Sequence, residues 1–315
     1  MFTSKKVFAG AIVAALVSTV GVIPAEAAPK NQARAVAQPD WLEQNLDNPK
    51  VRIIEVSTEP GIYERGHIKN AVKFVWHTDL VDTVNRDIIN AKNFSKLVQK
   101  AGISDDTTVV LYGDKNNWFA AWGAWIFNIY GQKDVRVLDG GRVKWEKDGR
   151  ALTTAVPSFA AGNFSVSKGD KSLRATLIND VLPVAKKRVK ADLIDIRSAD
   201  EYNGKVFAPA GFQELAVRAG HIPGAINIPW GQNVNADGTF KTVAELKKLY
   251  ADKGVDGKQN IITYCRIGER SSLTWFVLSE ILGYDVKNYD GSWTEYGNSV
   301  GVPIVNNAGT IWGAA

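Results

Sequence analysis

The chain has 315 residues, of which 45% are apolar and 23% charged, and its formal net charge is +5. This composition is typical of a globular protein, and the length is enough for two domains of ordinary size. The lysines and arginines are scattered rather than clustered, which argues against a nucleic-acid-binding surface. After the N-terminal segment, no stretch is apolar enough to predict a membrane span.

The first 27 residues are predicted to form a secretory signal peptide. Lys5 and Lys6 precede an apolar run from Val7 to Ile23, and Ala25-Glu-Ala27 ends in a small-x-small pattern. This arrangement is typical of a leader that is cleaved after its last small residue. We therefore expect an exported protein, periplasmic or secreted, with no membrane attachment after cleavage.

Short motifs in the first half of the remaining chain recur in the same order in the second half. The pairs are Arg52-Ile-Ile-Glu-Val56 with Asp192-Leu-Ile-Asp-Ile196, Gly66-His-Ile68 with Gly220-His-Ile222, Val109-Val-Leu-Tyr-Gly113 with Ile261-Ile-Thr-Tyr-Cys265, and Leu138-Asp-Gly-Gly141 with Asn288-Tyr-Asp-Gly291. Ordered matches at nearly constant spacing indicate a duplicated domain.

Each half alternates short apolar strands with segments of helical period. Helices are predicted over 94–101, 118–130, 244–250 and 273–282, and a buried strand over 260–264. This alternation predicts an α/β fold in which each domain is a mainly parallel sheet flanked by helices. We place the first domain at 36–150, a linker rich in small residues at 151–171, the second domain at 172–305 and a tail at 306–315.

The only cysteine, Cys265, follows a predicted strand, and Ser271 is predicted to begin the next helix. Open α/β sheets bind ligands at this end of their strands. In the intervening loop, Gly268 permits a backbone conformation closed to other residues, so amide N–H groups can turn toward the sulfur. The helix N-terminus and the charges of Arg266 and Arg270 also favour a thiolate. We predict that Cys265 is a nucleophile.

The same loop suits a sulfur-transfer intermediate. If Cys265 takes a sulfur atom from a donor, the resulting persulfide is negatively charged, and the loop amides can stabilise that charge. Arg266 and Arg270 can orient an anionic donor.

The loop Cys265-Arg-Ile-Gly-Glu-Arg-Ser-Ser272, the two Gly-His-Ile motifs and Tyr289-Asp-Gly-Ser-Trp-Thr-Glu-Tyr-Gly297 closely resemble the tandem-domain rhodaneses, the thiosulfate sulfurtransferases. Segments 109–118 and 138–142 resemble that family's inactive domain, with Gly113 at the cysteine position. The resemblance covers residues 36–305 and implies two tandem rhodanese-like domains. It also implies a cycle in which the cysteine takes sulfane sulfur from thiosulfate and passes it to cyanide or a thiol acceptor.

The resemblance assigns Cys265 as the catalytic residue. It assigns donor binding and persulfide stabilisation to the loop residues Arg266, Ile267, Gly268, Glu269, Arg270 and Ser271. Asp195 and Arg197 either orient this loop or form an ion pair internal to the domain. The vertebrate enzymes read Cys-Arg-Lys-Gly-Val-Thr in the loop and carry an arginine at the position of Glu201. We favour Arg270 and Arg266 as the cations that meet the donor, with Arg218 as an alternative.

Other functions stay open at this point. 3-Mercaptopyruvate sulfurtransferases are similar, but their loop resembles Cys-Gly-Ser-Gly-Val-Thr, and a dianionic donor needs more cationic help than a monocarboxylate. Cysteine phosphatases place five residues between cysteine and arginine, whereas only 266–269 separate Cys265 from Arg270. A sulfur carrier or binding module of this fold usually lacks the cysteine.

The remaining candidates are histidines and tryptophans. His67 and His221 occupy equivalent positions in the repeat, although only one half has a nucleophile, so we predict structural roles for both. With one cysteine and dispersed histidines we expect no metal site and no organic cofactor. Trp118 and Trp230 are candidates for narrowing the entrance to the site. We expect a monomer, because the two domains can cover each other's faces.

Overall fold

The computed structural model describes residue 1, residues 32–213 and residues 215–313. Apart from Met1, the predicted signal peptide lies outside the described residues. Within 32–213 and 215–313, no helix combines the length and apolar character needed to cross a membrane.

The first half contains seven α-helices and seven strands among its described residues. In chain order they are α1 (Gln32–Ala35), β1 (Val36–Ala37), α2 (Pro39–Gln44), β2 (Val51–Glu55), α3 (Ile62–Arg65), β3 (Ala71–Lys73), α4 (Trp76–Asp79), β4 (Val81–Asp82), β5 (Asp87–Ile88), α5 (Ala91–Lys100), β6 (Thr108–Tyr112), α6 (Trp118–Ile129), β7 (Asp134–Leu138) and α7 (Gly141–Lys147).

The second half repeats the alternation with fewer strands. Its elements are α8 (Leu182–Ala185), β8 (Asp192–Asp195), α9 (Ala199–Tyr202), β9 (Ile226–Asn227), α10 (Val243–Ala251), β10 (Ile261–Tyr264), α11 (Glu269–Phe276), β11 (Val286–Asn288) and α12 (Ser292–Asn298).

Each half is built on its own parallel sheet. The strand order is β1-β7-β6-β2-β3 in the first sheet and β11-β10-β8-β9 in the second, while β4 and β5 form a separate antiparallel pair. The registers correspond, since Glu55 lies beside Tyr112 in one sheet and Asp195 beside Tyr264 in the other. The predicted fold class, two α/β domains with parallel sheets flanked by helices, is confirmed.

The helix that follows the cysteine begins earlier than predicted. α11 starts at Glu269, not at Ser271, and after Phe276 it continues as a π-helical turn through Ile281. The prediction was wrong because Ser271 does not cap the helix from outside. Its hydroxyl lies 2.8 Å from the carbonyl oxygen of Gly268, within the first turn.

The two halves pack on each other through α6 and α11, and one hydrophobic core contains buried residues from both. The indole of Trp125 on α6 donates to the carbonyl of Leu173, 2.9 Å away. Trp118 and Trp230 meet edge to face across the same junction, with ring centroids 4.8 Å apart. The halves therefore share a core and not merely a surface.

The two histidines of the repeat have matching environments. His67 stacks on Tyr63 and His221 stacks on Tyr202, with centroid separations of 3.8 and 3.6 Å. In each case Nδ1 lies within hydrogen-bond distance of the main-chain oxygen of that tyrosine. Both side chains are buried, which fits the predicted structural roles.

Candidate active site

The sulfur of Cys265 lies at the carboxyl end of β10 and is fully buried. The amide N–H of Gly268 donates to Sγ over 3.1 Å. The Cys265 amide donates to Oγ of Ser292 at 3.0 Å, and that hydroxyl in turn lies 2.7 Å from the carbonyl oxygen of Tyr289. The loop thus directs an N–H dipole at the sulfur, an arrangement that stabilises negative charge there.

Glycine is required at position 268 for two reasons. Its φ of +105° lies in the region that side chains disfavour. A Cβ atom there would also lie 2.5 Å from Oδ1 of Asp290 and 2.7 Å from its main-chain oxygen, which is too close for any carbon atom. Asp290 therefore lies directly against the loop that holds the sulfur.

The carbonyl of Gly268 is fixed by a cluster of polar side chains. Hydroxyl oxygens of Ser271 and Ser272 lie 2.8 and 3.0 Å from this carbonyl oxygen, and Nδ2 of Asn288 donates to it over 3.2 Å. Asn288 ends β11, so the neighbouring strand anchors the loop. Because buried hydrogen bonds of this kind are costly to break, they keep the loop in one conformation.

Glu269 points into the interior instead of toward solvent. Its side chain is buried, and Oε2 has no hydrogen-bond partner among the described residues. Burial, followed by the charges of Cys265 and Asp290, raises the pKa of Glu269 well above its usual range. The neutral acid is therefore favoured, and Glu269 does not cancel the positive charges around the sulfur.

Arg270 lies in the first turn of α11 and pairs with Glu201, Nη2 to Oε1, at 3.0 Å. Glu201 is buried and also completes the capping box of α9, accepting from the amide of Ser198. Burial lowers the pKa of Arg270, but the charges of Cys265 and Glu201 outweigh burial and the net shift is upward. Arg270 is therefore a charged group that interacts electrostatically with Cys265 and is held by Glu201 of α9.

The guanidinium groups of the other two candidate arginines, Arg266 and Arg218, bind main-chain carbonyl oxygens. Arg266 donates to the carbonyl oxygen of Gln213 at 2.6 Å and lies over the ring of Phe212. Arg218 donates to the carbonyl oxygens of Tyr296, Gly297, Ser299 and Val302. The hypothesis that Arg218 meets the donor does not fit these contacts, because main-chain oxygens occupy its guanidinium and the group ties the C-terminal segment to the loop before β9.

Asp195 and Arg197 form an ion pair that is almost fully buried, with Nη2 of Arg197 2.6 Å from Oδ2 of Asp195. Nη2 also donates to the carbonyl of Gly220 at 2.7 Å, and the guanidinium lies over the ring of Trp293. The pair fixes the end of β8, next to the strand that carries Cys265. The predicted ion pair is present, and its support for the loop stays a prediction.

Comparison with known proteins agrees with this geometry. The family described as Rhodanese-like domain matches twice, at residues 38–148 and 182–299. The chain belongs to the rhodanese family. The predicted resemblance is therefore confirmed, and each half of the chain carries one rhodanese-like domain.

Several relatives match most of the chain. A Mycobacterium tuberculosis protein named "Putative thiosulfate sulfurtransferase" is 54% identical over 267 residues, covering 84% of this chain and 95% of the relative. The "Sulfur carrier protein TtuD" of Thermus thermophilus is 53% identical over 269 residues, covering 84% and 94%. The crystal structure of SseA from Escherichia coli, described with 3-mercaptopyruvate sulfotransferases, aligns with a TM-score of 0.70 at 27% identity, covering 82% of this chain and 98% of SseA.

The contacts of several residues in the rhodanese site were not predicted from the sequence. Asn288, Asp290 and Ser292 lie in or beside the quoted motif after β11, so the motif located them without indicating their contacts. Arg86 comes from the first domain, and its Nη2 donates to the carbonyl of Ile267 at 2.7 Å. No sequence pattern indicated Arg86, because it is 181 residues away from Ile267 and belongs to the domain without a cysteine.

The first rhodanese-like domain has no room for a nucleophile. A Cβ atom at Gly113 would lie 2.3 Å from the carbonyl oxygen of Val56. The following residues Lys115, Asn116 and Asn117 all have positive φ, and Oδ1 of Asn117 accepts the amide of Gly113 at 3.0 Å. In the first domain, main-chain atoms occupy the space that the side chain of a cysteine would need at position 113.

We therefore expect that Gly113→Cys, made in the Cys265→Ser background, creates no second persulfide site. The added side chain collides with main-chain atoms, so the free energy of unfolding should fall by about 1–3 kcal/mol. Intact-protein mass spectrometry after thiosulfate treatment and urea denaturation measure the two effects. Gly231→Cys is the matched control, since a Cβ there meets nothing within 4 Å. A gain of one sulfur atom at residue 113 would contradict this interpretation of the first domain.

Proposed function

We propose that this rhodanese is a thiosulfate sulfurtransferase that carries sulfur as a persulfide on Cys265. The observation that supports this most directly is the N–H of Gly268, 3.1 Å from a buried sulfur and next to a charged arginine. Relatives more than half identical to this chain bear the thiosulfate sulfurtransferase name. The loop carries more positive charge than Cys-Gly-Ser-Gly-Val-Thr, which suits a donor with two negative charges.

In the first step, the thiolate of Cys265 attacks the outer sulfur of thiosulfate. A bond forms between Sγ and that sulfur, the sulfur–sulfur bond of thiosulfate breaks, and sulfite leaves with the electron pair. The negative charge then rests on the terminal sulfur of the persulfide. The N–H of Gly268 and the guanidinium of Arg270 stabilise this charge because they are already oriented before the reaction.

In the second step, an acceptor attacks the terminal sulfur and the thiolate of Cys265 is released. Cyanide would leave as thiocyanate, and a thiolate would leave as a persulfide. The two steps share one site and constitute a ping-pong cycle. The sulfur carrier name of the Thermus relative favours a thiol as the acceptor, and cyanide serves as a convenient probe.

Intact-protein mass spectrometry tests this proposal. The purified protein should gain the mass of one sulfur atom with thiosulfate and lose it again with cyanide. A gain with 3-mercaptopyruvate but not with thiosulfate would identify 3-mercaptopyruvate as the donor, in line with the description given for SseA. No gain with either donor would contradict sulfur transfer. We also propose export, and the same measurement on protein recovered outside the cytoplasm shows whether residues 1–27 have been removed.

The charge of Arg270 should contribute more to the binding of an anionic donor than to the sulfur-transfer step itself. We expect Arg270→Ala to lower kcat/KM for thiosulfate by about 10- to 100-fold, because a charged hydrogen bond contributes about 1.5–3 kcal/mol. Steady-state assays with thiosulfate and with an organic thiosulfonate, a donor with a single negative charge that releases a sulfinate, measure this loss of kcat/KM, which should be smaller for the thiosulfonate.

Removing Arg270 also leaves Glu201 buried without its cation, and this must be separated from donor binding. The double variant Arg270→Ala, Glu201→Gln removes the isolated charge, and glutamine can still complete the capping box of α9. The double variant should still show the lowered kcat/KM with thiosulfate. Equal losses with both donors would argue against Arg270 as a donor-binding residue.

A further inference from the structure

The hairpin formed by β4 and β5 reaches from the first domain to the catalytic loop of the second. Arg86 lies in its turn, at a left-handed φ of +51°. Nη1 is 2.7 Å from Oδ2 of Asp290, and Nη2 is 2.7 Å from the main-chain oxygen of Ile267. One side chain of the half without a nucleophile therefore binds two groups of the half that has one.

The peptide bond between Ile267 and Gly268 connects this arginine to the sulfur. Its carbonyl oxygen accepts from Arg86, and its N–H donates to Sγ of Cys265 at 3.1 Å. Rotation of that peptide would break both bonds at once. A cation on the carbonyl oxygen also polarises the peptide, which strengthens the hydrogen bond at its N–H end.

Asp290 supports the same peptide from the other side. Its Oδ1 accepts the indole N–H of Trp122, on α6 of the first domain, at 3.0 Å. The same carboxylate lies so near Gly268 that a Cβ atom there would be 2.5 Å from Oδ1. The first domain thus positions the catalytic loop through Arg86 directly and through Asp290.

The charge of Arg86 also acts on the sulfur. Burial lowers the pKa of Arg86, but the neighbouring acidic groups, Asp290 first among them, outweigh burial and the net shift is upward. About half of the Arg86 side chain is exposed, at 52%, whereas Asp290 is buried at 8%. Solvent screens the exposed guanidinium, so the pair adds less to folding stability than a fully buried pair, and without Arg86 the buried Asp290 still accepts the indole N–H of Trp122. Loss of Arg86 should therefore change the chemistry more than the fold.

We propose that Arg86 is a positioning residue for sulfur transfer, which orients and polarises the Ile267–Gly268 peptide toward the sulfur of Cys265 and toward its persulfide. This inference rests on the proposed function for the persulfide step, but the effect on the free thiol does not depend on the donor. The first domain lacks a nucleophile and still supplies a part of the active site.

The test compares Arg86→Gln and Arg86→Lys with the wild type. The control is Arg65→Gln, which removes another exposed ion pair of the first domain, the pair with Glu59. The rate of Cys265 alkylation by iodoacetamide is followed as a function of pH, and the rate of persulfide formation with thiosulfate is followed by rapid quench. The melting temperature is recorded for each variant.

In Arg86→Gln we expect persulfide formation to slow by about 10- to 100-fold, since loss of one oriented donor to a developing anion costs up to about 10³-fold and Arg86 acts through the peptide. Alkylation should slow as well, because the thiolate loses a neighbouring cation while Arg270 and Glu269 on α11 and Asp290 after β11 remain. Arg86→Lys should restore part of both rates. Lysine keeps the positive charge, but it lacks the planar guanidinium that donates to two groups at once. Arg65→Gln should change neither rate, and all melting temperatures should stay near that of the wild type.

Alkylation and persulfide formation at wild-type rates in Arg86→Gln would overturn the inference. Equal losses in Arg86→Gln and Arg65→Gln would overturn it as well, because they would reflect the general charge of the first domain. If wild-type protein gains no sulfur from any donor, the proposed function fails instead, and the alkylation comparison still decides the role of Arg86.

Discussion

Cys265→Ser should abolish sulfur transfer while leaving the fold intact. We expect kcat/KM with thiosulfate and cyanide to fall by at least about 10³-fold, because a serine hydroxyl does not form the persulfide on which both half-reactions depend. The variant should keep its structure, since Oγ can accept the Gly268 amide that now contacts Sγ. Thiocyanate production measures the loss, and circular dichroism with thermal melting measures the fold.

Cys265→Ala is the companion variant, because it removes the polar atom altogether. The two variants should be equally inactive, and neither should gain mass with thiosulfate. Turnover in Cys265→Ser close to that of the wild type would rule out the persulfide cycle, since Cys265 is the only cysteine in the chain.

Arg197→Met should cause a large loss of folding stability. Removal of one partner from a buried ion pair leaves an uncompensated charge, here Asp195, and costs about 3–5 kcal/mol. The exposed fractions of the two side chains are 1% and 0%, so solvent does not reduce this cost. Urea denaturation measures the free energy of unfolding, and the sulfur-transfer assay is run where the variant is still folded.

The first domain provides a matched comparison, because Arg142 and Glu55 form an equally buried pair there, with Nη1 2.9 Å from Oε1. Arg142→Met should destabilise the protein to a similar extent. Arg197→Met should lower sulfur transfer more strongly, since Asp195 lies beside Tyr264, the residue before Cys265. A loss of stability below about 1 kcal/mol in Arg197→Met would contradict the cost assigned to an unpaired buried charge.

Much of this site is encoded locally and could be predicted from the sequence. Cys265, Gly268 and Arg270 lie within six consecutive residues, and a strand before them with a helix after them determines where they are placed. Asp195 and Arg197 could be identified because they lie at the end of β8 and just after it, and β8 pairs with β10. The duplicated motifs likewise identified the fold, since three of the four pairs contain the last residue of a strand in a parallel sheet.

The remaining part depends on contacts between residues far apart in the chain. Arg86 and Ile267 are 181 positions apart and meet only because α6 packs against α11. The burial of Glu269 could not be anticipated either, since glutamate is usually exposed in a helical first turn. Glu269 is the first residue of α11, which begins two residues before the predicted boundary.

The core shared by α6 and α11 has a consequence for how this duplicated chain can change over time. Loss of a nucleophile frees the first copy from chemistry, so that copy would be expected to accumulate substitutions more quickly. Trp122 and Arg86 limit this freedom, because each contacts Asp290 in the other copy. A substitution that is silent for the fold of the first copy can therefore still reduce the fitness of the whole enzyme. The two copies can specialise, but they cannot evolve independently.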